Sequence, residues 1–132
     1  MLYCDSAALV KLIRREQESD ALFEWLTQRQ EVPLASSALA EVEVPRALRR
    51  SEPQLLGSVS PVLGRVHLYE INGAVRAAAA AYTEPHLRSL DAIHLATAHS
   101  VLGSSITAFV TYDKRLLTAA EQVGLPVASP GV

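Results

Sequence analysis

Cysteine, aromatic residues and long apolar runs are all scarce in this chain of 132 residues, and each scarcity excludes something. The single cysteine, Cys4, cannot form an internal disulfide and lies in an apolar strand-like stretch. It reads as a buried thiol in a reducing compartment. No apolar stretch approaches the roughly 20 residues that span a bilayer. No basic segment followed by an apolar core opens the sequence either, so the expectation is a cytoplasmic protein with no signal peptide and no membrane partner. Aromatic residues make up 5% of the chain, with Trp25 the sole tryptophan, which argues against extensive base stacking. Positive charge is not in surplus: the net charge of −2 counts against a simple electrostatic binder of nucleic acid. Acids gathered around divalent cations reverse the local field, however, so net charge alone does not decide the matter. There is no glycine-rich phosphate loop and no recognisable Ser-His-Asp order. His67, His86 and His99 show no ligand spacing to one another.

What is present is an ordinary globular composition, 49% hydrophobic and 20% charged, sized for one domain over residues 1–132. Strand-like stretches fall at 2–5 (LYCD), 32–37 (VPLASS), 66–71 (VHLYEI), 108–113 (AFVTYD) and 126–129 (PVAS). Helical patterns cover 7–15, 18–28, 38–50, 54–64, 74–82, 91–102 and 114–123, with Ser6 expected to cap the first and Ser36 or Ser37 the third. Segments long enough for crossover helices separate the strands, so the fold class is α/β with a central, mostly parallel sheet flanked by helices. The alanine-rich "VRAAAAAYTE" reads as a helix packed closely on a neighbour.

In such sheets ligands bind beyond the carboxyl ends of the strands. Asp5 ends the first strand-like stretch and Asp113 ends the fourth, each directly before a helix start. Either acid alone is explained as a helix N-cap. Asp91 is harder to dismiss. It belongs to "LRSLDAIHLATAHSVL", where Leu90, Ile93, Leu95, Ala96, Ala98, Val101 and Leu102 predict a mostly buried helix. A carboxylate there costs free energy unless it caps the helix, is paired or holds a metal. In "SSALAEVEVPRALRR", Glu41 and Glu43 stand about 200° apart around a helix and lie at opposite edges of its apolar arc. Helical geometry does not choose between them. Four acids converging at one end of a sheet would repel one another unless divalent cations neutralised them, and an all-oxygen ligand set favours Mg²⁺ or Mn²⁺ over zinc.

At these residues the chain resembles the PIN-domain ribonucleases, in particular the VapC-type toxins of bacterial toxin–antitoxin pairs. "YCDSAALVKL" resembles the opening motif, with Asp5 the first acid and Ser6 its polar neighbour. "SSALAEVEVPRAL" resembles the second, with Glu43 as its acid and Glu41 the alternative. "LRSLDAIHLATA" carries the third acid, Asp91. "FVTYDKRLLTAAEQVGL" carries the fourth, Asp113, with Thr111 just before it. The resemblance implies a PIN-like fold and an Mg²⁺- or Mn²⁺-dependent endoribonuclease acting on RNA, often structured RNA such as tRNA. It also implies a VapB-type antitoxin as protein partner and a homodimeric toxin. The sequence departs from the family at Pro45, where an aliphatic residue is usual. A proline inside a helix removes a backbone hydrogen bond and kinks it, which bears directly on the register of Glu43.

Arg46, Lys114 and Arg115, with Lys11, Arg14, Arg15, Arg49 and Arg50, are candidates for holding RNA phosphates around the acids, although solvated helix faces explain each group equally well. His94, three residues after Asp91, reads as a core histidine or a support for the acids rather than as a ligand. Two other classes compete with a nuclease: a non-catalytic module that binds RNA or protein, and a phosphoacceptor domain. The second leaves Asp91 unexplained.

Overall fold

A computed structural model describes residues 1–132. Five strands, β1 (Leu2–Cys4), β2 (Leu34–Ser37), β3 (Val66–Tyr69), β4 (Ala108–Val110) and β5 (Val127–Ala128), form one sheet in the order β3-β2-β1-β4-β5. Every pairing is parallel. Seven α-helices surround it: α1 (Ser6–Lys11), α2 (Ser19–Thr27), α3 (Ala40–Ser51), α4 (Val59–Leu63), α5 (Gly73–Ala81), α6 (Ser89–Ala96) and α7 (Lys114–Gln122).

The strand order places a topological switch at the centre of the sheet. From β1 the chain builds outward through β2 and β3, then returns to lay β4 against the other side of β1. Leu2, Tyr3 and Cys4 pair with Ala108, Phe109 and Val110, and the Asp5 amide donates to the Val110 carbonyl at 3.2 Å. The segments leaving β1 and β4 therefore emerge side by side, the usual position of a ligand crevice in an open α/β sheet.

Side-chain alternation along the strands divides the core into two layers. Tyr3, Ala35 and Phe109 face one side with Leu95 and Leu102, and with Leu116 and Ala120 of α7. Cys4, Val66 and Val110 face the other, with Leu9, Leu22, Val44 and Leu48. Strands buried on both faces account for the near-continuous apolar runs in the sequence.

Several local expectations are corrected. Ser6 does not cap α1: Asp5 is the N-cap, its Oδ1 accepting the Ala8 amide at 2.9 Å. Neither Ser36 nor Ser37 caps α3, whose N-cap Leu39 makes no side-chain bond; Ser36 donates instead to the Cys4 carbonyl at 2.7 Å. The expected helix over 54–64 is a 3-10 segment (Pro53–Ser58) followed by α4. α6 begins at Ser89 and loosens into a π-helical turn over Thr97–Leu102. Its surface is wetter than its composition implies, since Leu90 is 49% exposed and Val101 41%. α5 lies against α6 but fully buries only Val75, leaving Ala77, Ala80 and Ala81 at the surface. α3 runs unbroken through Pro45.

Candidate active site

Asp5 and Asp113 both serve as helix N-caps, and both stand at the crevice between β1 and β4. The capping and site readings are therefore compatible, because a cap uses one carboxylate oxygen and leaves lone pairs on the other. Asp113 Oδ1 accepts the amides of Arg115 at 2.8 Å and Leu116 at 3.2 Å. Asp5 uses Oδ1 for the Ala8 amide and accepts the Thr111 hydroxyl on Oδ2 at 2.6 Å. Asp5 is buried, whereas Asp113 is exposed.

Asp91 is the third residue of α6, one turn inside the helix, and caps nothing: the N-cap is Arg88. It is half-buried, and of the four acids it alone accepts no hydrogen bond from the protein. Burial pushes its carboxyl above the ordinary value, and the neighbouring charges of Asp113, Asp5 and Glu43 push it further, against the opposing pull of His94. Asp5 is also raised, chiefly by burial, despite His94, Thr111 and the Ala8 amide.

The tertiary structure separates the two glutamates of α3. Glu41 is exposed. Glu43 turns inward, where Ser6 donates to its Oε1 at 2.7 Å and His94 Nε2 lies 2.8 Å from the same oxygen. Burial raises the Glu43 carboxyl, but the hydrogen bonds from His94 and Ser6 outweigh it and leave the group below its ordinary value. Pro45 leaves the Glu41 carbonyl without its helical donor, yet α3 continues through it and Glu43 still reaches Ser6 and His94.

Glu43, Asp91 and Asp113 line one cleft of about 460 Å³, together with His86, Arg88, Ser89, Leu90 and Arg115. Asp5 is not among the lining residues, yet its charge is felt at Asp91. Of the basic residues singled out in the sequence, Arg115 reaches the cleft, while Arg46 and Lys114 are exposed elsewhere. The first basic group turns away from it: Lys11 pairs with Glu16 and Glu18, Arg14 with Glu16, and Arg15 with Asp20. Sequence reasoning set His86 aside for want of ligand spacing and passed over Arg88, although Arg88 lies within "LRSLDAIHLATA". As the side chains stand, no three His, Cys, Asp or Glu groups converge at metal-binding distances. The donor chemistry nevertheless fits a hard divalent cation: only carboxylate oxygens, mutually repulsive, with Asp91 unpartnered.

A sequence model of the PIN domain matches residues 2–122. Ribonuclease VapC35 of Mycobacterium tuberculosis is 53% identical over 133 residues, covering 99% of this chain and 98% of its own. The chain belongs to the VapC ribonuclease toxins of the PIN-domain family. Solved structures agree on the fold. VapC20 of M. tuberculosis, a toxin that cleaves the sarcin–ricin loop, superposes with a TM-score of 0.73 at 12% identity, over 95% of this chain and 96% of that one. A toxin–antitoxin complex from Klebsiella pneumoniae gives 0.72 at 19% identity, over 98% of both chains. No helix of this VapC-family chain is long and apolar enough to cross a membrane.

Proposed function

We propose that this VapC-family chain is an endoribonuclease dependent on Mg²⁺ or Mn²⁺, with Asp5, Glu43, Asp91 and Asp113 as the residues that would hold the cation. When bound, such a cation supplies Lewis acidity, activating water and neutralising charge on the phosphodiester. The observation that carries this reading is Asp91: a half-buried carboxylate with no hydrogen-bond donor, in a cleft shared with two further acids. Structural carboxylates are normally paired when buried.

The protein's own groups divide the remaining tasks. Asp91, free of hydrogen bonds, has both carboxylate oxygens available to the cation. Arg115 and Arg88 stand on the rim of an otherwise acidic cleft, where their guanidinium groups grip phosphates flanking the scissile bond. Ser6 and Thr111 position Glu43 and Asp5. The partners follow from family membership: a VapB-type antitoxin, a second copy of the toxin, and an RNA substrate for which a structured RNA such as tRNA is the leading class. Antitoxin binding draws support from the toxin–antitoxin complex that shares this fold.

Incubating purified wild type and Asp91→Asn with RNA in Mg²⁺, Mn²⁺ or EDTA tests the reading. Wild type is expected to cut only with the cation, and Asp91→Asn to be at least about 100-fold slower. Equal cutting in EDTA, or by the variant, overturns it. An alternative, a non-catalytic binding module, would rest on a second motif kinked at Pro45; α3 runs from Ala40 to Ser51 through that residue.

A further inference from the structure

Behind the acidic cleft a chain of polar groups runs into the core. Tyr3, in the middle of β1, is wholly buried, and its hydroxyl lies 2.7 Å from Nδ1 of His94. The other ring nitrogen of His94, Nε2, is 2.8 Å from Glu43 Oε1 and 3.2 Å from Ser6 Oγ. His94 is 1% exposed. The Tyr3 ring is clamped, stacked on Phe109 with centroids 5.2 Å apart and planes at 4°, and set edge-on to His94 at 5.9 Å and 76°. Its hydroxyl therefore has one direction.

Donor and acceptor chemistry gives this chain a polarity. An ionised Glu43 oxygen only accepts, so Nε2 of His94 must carry a hydrogen. The Tyr3 hydroxyl, able both to donate and to accept, bonds the opposite ring nitrogen and fixes the plane of the imidazole. The opposite tautomer would set the Nε2 lone pair against a carboxylate oxygen at 2.8 Å in a site shielded from water. No buried side-chain nitrogen or oxygen lacks a partner. Glu43 Oε1 then receives two donors, Ser6 and His94, while Oε2 receives none from the protein.

We infer that Tyr3 and His94 are positioning residues for Glu43. Tyr3 holds the His94 ring in place, and His94 with Ser6 anchors one Glu43 oxygen so that the other is presented to the cleft and its cation. The inference rests on the proposed reading of Glu43 as a cation ligand. Partners of this kind, set behind a ligand, typically change metal affinity or activity by about 10–100-fold when removed.

The test combines histidine and cation readouts on the full chain. Long-range ¹H–¹⁵N spectra of ¹⁵N-labelled protein at pH 7.5 are expected to show a proton on His94 Nε2, the nitrogen facing Glu43, and Tyr3→Phe to speed its exchange with water. Calorimetric titration with Mn²⁺ is expected to weaken about 10-fold or more in Tyr3→Phe and His94→Leu. His94→Gln keeps an N–H donor of similar reach and is expected to recover most of the affinity. Melting temperatures identify any variant that fails to fold, in which case Tyr3→Phe, which removes one oxygen, carries the test. A His94 with no proton on Nε2 overturns its role as a donor to Glu43. Asp91-dependent Mn²⁺ binding that neither variant weakens overturns the positioning role and leaves the proposed site standing. Absence of Mn²⁺ binding by wild type overturns both.

Discussion

Thr111 donates its hydroxyl to Asp5 Oδ2 at 2.6 Å across 106 residues of sequence, and its own oxygen accepts the Asp113 amide at 3.2 Å. One fully buried hydroxyl thus ties the acid after β1 to the acid that opens α7. Thr111→Val keeps the shape and removes both bonds, exposing a buried carboxylate to an apolar neighbour. Chemical denaturation is expected to show a loss of about 1.5–3 kcal/mol, the range for a hydrogen bond to a charged group. A loss below about 0.5 kcal/mol would mean that Asp5 finds another donor.

The two glutamates of α3 give a register test. Glu43→Gln is expected to lower RNA cleavage at least about 100-fold, as for removal of a group that acts on developing charge. Glu41→Gln, on an exposed face, is expected to leave the rate within about twofold. Reversed results would show that the second motif enters the site through the other residue.

The cation-free protein carries a pH-dependent cost at its acids. Burial first, and the charge of Asp113 next, raise the folded-state carboxyl of Asp91; burial raises that of Asp5. A raised acid keeps its proton longer in the folded than in the unfolded state, so stability falls as pH climbs from the ordinary carboxylate value through the raised one. Asp91→Asn is expected to melt a few degrees above wild type at neutral pH without cation. The difference should vanish below about pH 3, where Asp91 is protonated in both states. Glu43 runs the other way: its lowered carboxyl contributes stability above the ordinary value that is lost as pH falls through the folded one. A melting difference independent of pH would remove charge repulsion as the cause.

Lys11 supplies a prediction away from the cleft. It is buried, with Nζ 3.0 Å from Glu16 and 3.2 Å from Glu18, and 4.6 Å from the centroid of the Tyr112 ring. Lys11→Met keeps the aliphatic stem, leaves the partly buried Glu18 unpaired and leaves Glu16 with Arg14 alone. Denaturation is expected to show about 1–3 kcal/mol of destabilisation, with cleavage of RNA unchanged once the protein is folded. A loss of cleavage in a fully folded variant would place Lys11 in the substrate path.

The alternation of strand and helix patterns was enough to predict a parallel α/β sheet, because strands buried on both faces and joined by crossover helices leave a periodic record in the residues. Strand ends were less legible. "AFVTYD" reads as one apolar-to-polar run, yet β4 stops at Val110 because Thr111 and Asp113 turn their polar groups to Asp5 and to the first amides of α7. The cap of α1 was assigned to Ser6 for the same reason: local sequence offers two capping side chains and does not say which is claimed elsewhere.

Sequence alone determined the fold class, the presence of acids at Asp5, Asp91 and Asp113, and a choice of two at the second motif, since these depend on residue type and local period. Tertiary structure decided the rest. It turned Glu43 toward Ser6 and His94 and left Glu41 exposed, because α3 packs Val44 and Leu48 into the core. It drew His86 and Arg88 to the cleft and sent Lys11, Arg14 and Arg15 into ion pairs of their own. It also joined Tyr3 to His94 over 91 residues. Such long-range pairings follow from sheet order and helix docking, which bring distant residues together without leaving any spacing between them in the chain.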